Sequence, residues 1–128
     1  MPAQEDGLLI FVVDDEKLIA STLTLILTGK GFYARSFLDP LDALQAAQST
    51  RPDLLLSDVV MPNMNGIELA IQMQQLCPDC KILLSSGQVA TTELLAAARL
   101  QGHHFEILAK PVHPDTLLQK IGELFEVD

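Results

Sequence analysis

Tryptophan is absent from this sequence, and aromatic residues make up only 5% of its 128 residues. A buried core must therefore be aliphatic. The 2 cysteines are too few for the disulfide framework of a secreted domain. No stretch reaches the roughly 18 consecutive apolar residues that a membrane-spanning helix needs. The polar, acidic residues 1–7 lack the features of a signal peptide. We therefore expect a cytoplasmic location without membrane contact.

Basic residues are also scarce. Lysine and arginine number 8 against 17 aspartates and glutamates, which gives a formal net charge of −9. We expect no direct binding of nucleic acid, because phosphate backbones attract basic surfaces. An acidic surface attracts cations or the basic patch of a partner protein instead. The length predicts a single domain at 1–128, with a core at about 8–125.

Short apolar runs alternate with amphipathic stretches along the chain. The apolar runs predict strands at 8–13, 33–37, 54–57, 81–85 and 105–109. Apolar residues at helical spacing predict helices at 17–30, 67–76, 91–100 and 114–125, and a further helix with Asp39 as N-cap and Pro40 in its first turn. Five strands that alternate with five helices predict an α/β fold, in which helices cover both faces of a parallel sheet.

Polar or charged residues follow four of the predicted strands. They are Asp14 and Asp15 after the first strand, Asp58 after the third, Ser86 after the fourth and Lys110 after the fifth. Each residue alone has a simpler explanation, such as a helix cap, a turn residue or a solvated charge. Ligands of such sheets bind beyond the carboxyl ends of the strands, however. The recurrence of polar residues at this edge therefore favours a joint site.

Three carboxylates at one edge would repel each other unless a cation lay among them. Oxygen ligands suit Mg²⁺, which takes one or two protein carboxylates and keeps water or phosphate oxygens. One carboxylate is then free to act as a nucleophile and form an aspartyl phosphate. A lysine would balance the added charge, and a serine hydroxyl would bond to a phosphoryl oxygen. This set supplies the positioning and charge neutralisation that phosphoryl transfer needs.

The chain resembles the receiver domain of two-component response regulators over nearly its whole length. The resemblance rests on VVDDE at 12–16, LLLSDVVMPNMNGIEL at 54–69, ILLSSG at 82–87 and LAKP at 108–111. It implies a flavodoxin-like, doubly wound (βα)5 fold with strand order 2-1-3-4-5. It also implies a phosphorelay role, in which a histidine kinase or a histidine phosphotransfer protein donates the phosphoryl group. A downstream protein would then recognise the surface formed by helix 4, strand 5 and helix 5.

The resemblance implies roles for particular residues. Asp58 matches the phosphoacceptor, Ser86 the switch hydroxyl and Lys110 the lysine that pairs with the phosphoryl group. The implied ligands of Mg²⁺ are Asp15, Asp58, the backbone carbonyl of Val60 and, through water, Asp14. A receiver domain catalyses only its own phosphorylation and dephosphorylation, so we do not expect an enzyme in the ordinary sense.

Met61, Pro62 and Gly66 match the loop that shapes the family's site, and the bond between Lys110 and Pro111 is often cis in the family. No output domain is expected in this chain, which could be a stand-alone regulator or a piece of a longer protein.

The chain departs from the family pattern at two positions. The family often has Tyr or Phe three residues before the lysine, where this chain has Ile107, and Phe105 lies five residues before it. Aromatic rotamer coupling is therefore not expected in its usual form. In the family, the side chain two residues after the phosphoacceptor lies near the path of the water that attacks the phosphoryl group. Here that residue is Val60, whose apolar side chain cannot orient this water. We therefore expect self-dephosphorylation to depend more on Gln88.

Three other functions fit the sequence less well. A phosphohydrolase of the haloacid dehalogenase type would need D-x-D after the first strand and a cap domain, whereas this chain has Asp14 next to Asp15. A flavin carrier would need a loop rich in Ser, Thr and Gly there, because acidic residues repel flavin phosphate. A receiver-like module that binds proteins without phosphorylation would have lost Asp58 or Lys110, and both are present.

Cys77 and Cys80 form a C-x-x-C pair between a predicted helix and the fourth strand. A redox pair would be expected after a strand and before a helix, so a redox role is disfavoured. A zinc site would need two more ligands. His103 and His104 lie at the same, amino-terminal edge of the sheet and leave that hypothesis open.

Overall fold

The computed structural model describes residues 7–87 and 91–125. The strands in these ranges are β1 Leu9–Val13, β2 Tyr33–Phe37, β3 Leu54–Asp58, β4 Lys81–Ser86 and β5 Glu106–Ala109. They form one parallel sheet in the order β2-β1-β3-β4-β5, which confirms the predicted α/β topology. Each predicted strand is present, with bounds that differ by no more than one residue.

The helices of the described residues are α1 Lys17–Gly29, α2 Pro40–Ala47, α3 Gly66–Leu76, α4 Thr91–Leu100 and α5 Pro114–Leu124. Asp39 caps α2 as predicted, since its Oδ1 accepts a hydrogen bond of 2.9 Å from the backbone N–H of Leu41. None of the helices in the described ranges is long and apolar enough to span a bilayer.

The core consists of two apolar layers, one on each face of the sheet. Residues of the central strands alternate between the layers: Leu55 of β3 faces one layer, and Leu54 and Leu56 face the other. Helices α2, α3 and α4 cover the first layer, whereas α1 and α5 cover the second. Burial on both faces explains why the strands read as continuous apolar runs. The buried residues are largely aliphatic, as expected, with Phe11 and Phe32 as the buried aromatic residues.

The strand order brings the ends of four strands together. β1 and β3 are neighbours, with Val13 paired to Ser57, so the residues that follow them emerge side by side. β4 lies next to β3, with Ser85 paired to Asp58. β5 follows at the edge of the sheet, next to β4.

Candidate functional site

Three aspartates meet at the carboxyl edge of the sheet, as the sequence predicted. Asp14 and Asp15 follow β1, and Asp58 is the last residue of β3. One carboxylate oxygen from each residue lies within 4.8 Å of the others. Asp14 and Asp58 are buried, whereas Asp15 is exposed. The group therefore has a buried floor and a side that is open to solvent.

The backbone at the start of α1 holds Asp14 in place. Its Oδ1 accepts a hydrogen bond of 2.9 Å from the backbone N–H of Glu16. Its Oδ2 points to Lys110, whose Nζ lies 3.3 Å away. Both carboxylate oxygens of Asp14 are thus engaged within the protein. This arrangement fits a carboxylate that contacts a metal through water better than one that binds it directly.

Lys110 joins the two buried carboxylates. Its Nζ lies 3.1 Å from Oδ2 of Asp58 as well as 3.3 Å from Oδ2 of Asp14. The backbone N–H of Lys110 donates to the carbonyl of Ser86 at 3.1 Å, which fixes the start of the loop after β5 against the end of β4. The Lys110–Pro111 peptide bond is cis, as the resemblance implied.

Burial and charge act in opposite directions on the ionisable groups of the site. Burial raises the pKa of Asp58, and the hydrogen bond and positive charge of Lys110 only partly offset this effect. Burial lowers the pKa of Lys110, but its hydrogen bonds and ion pairs with Asp58 and Asp14 outweigh burial and leave the pKa raised. The site thus has three carboxylates for one ammonium group and is short of positive charge.

A divalent cation fits this set of residues. The donors are oxygens alone, which suits a hard ion such as Mg²⁺. Two oxygens bound to one Mg²⁺ lie at most about 4.2 Å apart, because each bond is about 2.1 Å long. The carboxylate oxygens lie within 4.8 Å of one another, so small side-chain movements would suffice to close the site.

The loop between β3 and α3 has little room beside Asp58. A Cβ atom on Gly66 would lie 2.2 Å from the backbone oxygen of Asp58, so a glycine is required there. The N–H of Gly66 donates to the carbonyl of Val59 at 2.8 Å. Asn65 and Glu68 bond to each other's backbone N–H in a capping box that starts α3. The loop is thereby fixed at both ends.

Ser57, which the sequence reasoning did not single out, lies directly under this loop. Its side chain is buried, and its hydroxyl donates to the backbone carbonyl of Asp58 at 2.9 Å. The available signal was a serine in an otherwise apolar, fully buried strand. A hydroxyl at such a position needs a hydrogen-bond partner.

The remaining predicted residues differ in their placement. Ser86 is buried at the end of β4, next to the start of the Lys110 loop. Val60 is 45% exposed at the mouth of the site. Ile107 is half-buried and packs against the first core layer. Gln88 lies outside the described residues.

The cysteines and histidines do not form a comparable group. Cys77 and Cys80 are both buried free thiols. Within residues 7–87 and 91–125, the three aspartates are the only cluster of at least three His, Cys, Asp or Glu side chains with ligand atoms this close together. The ring of His103 instead stacks on Phe105, with 6.0 Å between the ring centroids.

The sheet order and the acidic site define the class of protein. A family model described as the response regulator receiver domain matches residues 10–122, and the chain belongs to this family. Receiver domains are signalling modules of two-component systems rather than ordinary enzymes, and they bind Mg²⁺ at a cluster of aspartates.

Individual relatives agree with this assignment. The chain is 30% identical over 112 residues to the DNA-binding response regulator MtrA of Mycolicibacterium paratuberculosis, covering 88% of this chain and 48% of that protein. It is 34% identical over 113 residues to the DNA-binding transcriptional regulator NtrC of Proteus hauseri, covering 88% of this chain and 23% of that protein. The chain thus spans about half the length of MtrA and about a quarter of the length of NtrC.

Solved structures show the same fold. The receiver domain of an HD domain-containing protein from Pseudomonas fluorescens Pf-5 superposes with a TM-score of 0.85 at 27% identity, covering 94% of this chain and 95% of that one. A CheY-like receiver domain protein from Methanospirillum hungatei JF-1 gives a TM-score of 0.84 at 26% identity, with the same coverage of 94% and 95%.

Proposed function

We propose that this chain is a phosphoryl-accepting switch, in which Asp58 takes a phosphoryl group from a phosphohistidine of a kinase or phosphotransfer protein. The observation that carries the proposal is the contact of 3.1 Å between Asp58 and Lys110 inside a cluster of three aspartates. A module that binds proteins without phosphorylation would have no need for this set of residues. That alternative function is therefore disfavoured.

The side chains have distinct roles in the proposed reaction. An oxygen of Asp58 attacks the phosphorus atom in line, and the bond between phosphorus and the donor imidazole nitrogen breaks. The product is an aspartyl phosphate. The electrons of the broken bond stay on the imidazole nitrogen, and the imidazole leaves neutral because its other ring nitrogen carries a proton. Lys110 and the hydroxyl of Ser86 would then contact the phosphoryl oxygens. The chain catalyses only this modification and its reversal by water.

Asp15, Asp58 and the backbone carbonyl of Val60 would hold Mg²⁺, with Asp14 acting through water. The exposed position of Asp15 and the engaged oxygens of Asp14 support this division. When bound, Mg²⁺ would neutralise negative charge on the transferring phosphoryl group.

We further propose that the donor protein docks beside α1. A groove of about 410 Å³ lies between α1 and the loop after β5, and Lys110 forms part of its wall. Leu18 and Leu25 of α1 are 79% and 74% exposed, and α1 has no charged residue after Lys17. An apolar surface next to the reacting carboxylate suits a helix of the donor protein.

The signal would leave through the surface formed by α4, β5 and α5. Leu100 at the end of α4 is 90% exposed, and Ile107 of β5 is only half-buried. Exposed apolar side chains on this surface support a downstream protein partner. The net charge of −9 argues against direct contact of this chain with nucleic acid.

Acetyl phosphate provides the test of the acceptor. We expect the intact mass to rise by one phosphate when Mg²⁺ is present, and the gain to disappear in EDTA and in Asp58→Asn. If neither acetyl phosphate nor a phosphohistidine protein modifies the wild type with Mg²⁺, the chain acts without phosphorylation and the proposal is wrong.

A further inference from the structure

Three hydrogen bonds hold the two consecutive peptide groups after Asp58. In the first, the carbonyl of Asp58 accepts from the Ser57 hydroxyl at 2.9 Å, and the N–H of Val59 donates to the carbonyl of Ser85 at 3.0 Å. In the second, the carbonyl of Val59 accepts from the N–H of Gly66 at 2.8 Å.

The next carbonyl along the chain is that of Val60, the proposed backbone ligand of Mg²⁺. Its direction depends on the orientation of the two peptide groups before it, because the backbone has only two soft dihedral angles per residue. Two of these three bonds join backbone groups to each other. The bond from Ser57 is the one made by a side chain that is not itself part of the proposed metal site.

We infer that Ser57 is a positioning residue, whose hydroxyl orients the Asp58–Val59 peptide group and thereby aims the Val60 carbonyl and the Asp58 carboxylate at Mg²⁺. This inference rests on the proposed function of the same site. Ser57 is only 1% exposed, and its hydroxyl is bonded to a backbone carbonyl, so it is not one of the proposed ligands of Mg²⁺. It acts through the backbone, as groups behind metal ligands commonly do.

The crowded position of the Asp58 carbonyl strengthens the inference. A Cβ atom on Gly66 would lie only 2.2 Å from this oxygen. The oxygen is therefore confined between the start of α3 on one side and the Ser57 hydroxyl on the other. A buried carbonyl that loses its donor is destabilised and turns toward another partner. Rotation of this peptide group would carry the N–H of Val59 away from Ser85 and redirect the Val60 carbonyl.

The test is the affinity for Mg²⁺, measured by isothermal titration calorimetry on the whole chain. We expect Ser57→Ala to weaken Mg²⁺ binding by about ten-fold, the lower end of the effect of groups behind metal ligands. Ser57→Thr keeps the hydroxyl and should restore the affinity. Ser57→Cys has a side chain of similar size with a weaker hydrogen-bond donor, so its affinity for Mg²⁺ should lie between those of Ser57→Ala and the wild type. This variant decides the question if the additional methyl group of threonine does not fit.

Thr24→Val is the matched control. The hydroxyl of Thr24 donates to the carbonyl of Ala20 at 2.8 Å, so this variant also loses a bond from a hydroxyl to a backbone carbonyl, but within α1. We expect its Mg²⁺ affinity to equal that of the wild type. Unchanged affinity in Ser57→Ala, or an equal loss in Thr24→Val, would overturn the inference.

Phosphorylation by acetyl phosphate, read on the same samples, separates this inference from the proposed function. If the wild type binds Mg²⁺ but takes no phosphate from any donor, the proposed function fails while the affinity series still decides the role of Ser57. If the wild type is phosphorylated and Ser57→Ala binds Mg²⁺ normally, only the role of Ser57 is wrong. A wild type that binds no Mg²⁺ contradicts both.

Discussion

The ammonium nitrogen of Lys110 lies 3.1 Å from Oδ2 of Asp58, although Asp58 ends β3 and Lys110 follows β5, and these two strands are not adjacent in the sheet. The same nitrogen lies 3.3 Å from Asp14. Lys110 thus partly neutralises the site before any phosphoryl group arrives. In the proposed reaction, Lys110 would give up its contact with the Asp58 carboxylate and contact the phosphoryl oxygens instead. The position of the Lys110 side chain would therefore differ between the free and the phosphorylated acceptor.

Removal of the positive charge of Lys110 should make the stability of the protein depend more strongly on Mg²⁺. Lys110→Met leaves the aspartates without their ammonium partner, and we expect the free energy of unfolding in EDTA to fall by about 2 kcal/mol. Mg²⁺ should then stabilise the variant more than the wild type, because no ammonium group competes for the carboxylates. Urea unfolding with and without Mg²⁺ measures both effects.

Lys120→Met is the control for this experiment. Lys120 contacts Glu106 at 3.5 Å and Glu123 at 3.6 Å on the surface, where such pairs contribute less than about 1 kcal/mol. An equal loss of stability in the two variants, or the same response to Mg²⁺ in Lys110→Met and the wild type, would contradict the explanation.

Gly66→Ala should damage both stability and phosphorylation. The added Cβ atom would lie 2.2 Å from the Asp58 backbone oxygen, so the loop must move. We expect a loss of about 2 kcal/mol in the free energy of unfolding, typical of overpacking, together with slower modification by acetyl phosphate. Gly29→Ala is the comparison, because nothing lies within 4 Å of its added Cβ atom. Similar behaviour of the two variants would show that the close approach does not matter.

The side chain of Val60 should prolong the life of the phosphorylated state. It is apolar and 45% exposed at the mouth of the site, where it cannot orient a water molecule for attack. Val60→Asn should shorten the half-life of the phosphorylated protein, followed by intact mass after removal of acetyl phosphate. Val60→Ile should leave it nearly unchanged. Gln88→Ala should lengthen it, and an unaltered decay rate there would refute the predicted role of Gln88.

The buried thiols should make the protein sensitive to alkaline pH. Burial, with smaller contributions from the charges of Cys77 and Asp53, raises the pKa of Cys80 from 9.0 to about 12. Between these values the unfolded chain loses the thiol proton while the native protein keeps it. Stability therefore falls as pH rises from about 9 toward 12.

Unfolding free energies at pH 8 and pH 10 check this prediction, and Cys80→Ala should show a smaller decline than the wild type. Iodoacetamide at pH 8 should label Cys80 only after denaturation. Rapid labelling of Cys80 in the native protein would show that its thiol is neither buried nor high in pKa.

The docking surface for the donor can be separated from the chemistry of the acceptor. Leu25 is 74% exposed on α1, so Leu25→Glu should fold normally and should still accept phosphate from acetyl phosphate. Transfer from a phosphohistidine protein should slow about ten-fold or more, because a charge then faces an apolar partner. Leu100→Glu introduces the same charge on α4, and in this variant the rate of transfer from the phosphohistidine protein should not change. Equal rates for Leu25→Glu and the wild type would exclude α1 as the docking surface.

Much of the architecture was predictable from local patterns. Continuous apolar runs marked the strands because both faces of the sheet are covered, and the strand ends carried Asp58 and Lys110 at positions that the motifs made recognisable. Element bounds were less predictable. α3 begins at Gly66 rather than at residue 67 because Asn65 and Glu68 form a capping box. β3 extends to Asp58 because the ladder with β4 continues to Ser85.

The sequence by itself determined the fold class, the identity of the acidic residues and their family, since these depend on residue order and local periodicity. The tertiary structure alone decided the buried contacts that position them. The hydroxyl of Ser57 is bonded to the Asp58 carbonyl, and Gly66 must be a glycine because the backbone of β3 passes against it. Such contacts depend on the packing of a helix and a loop on a strand end, and no periodicity in the sequence records distances across that packing.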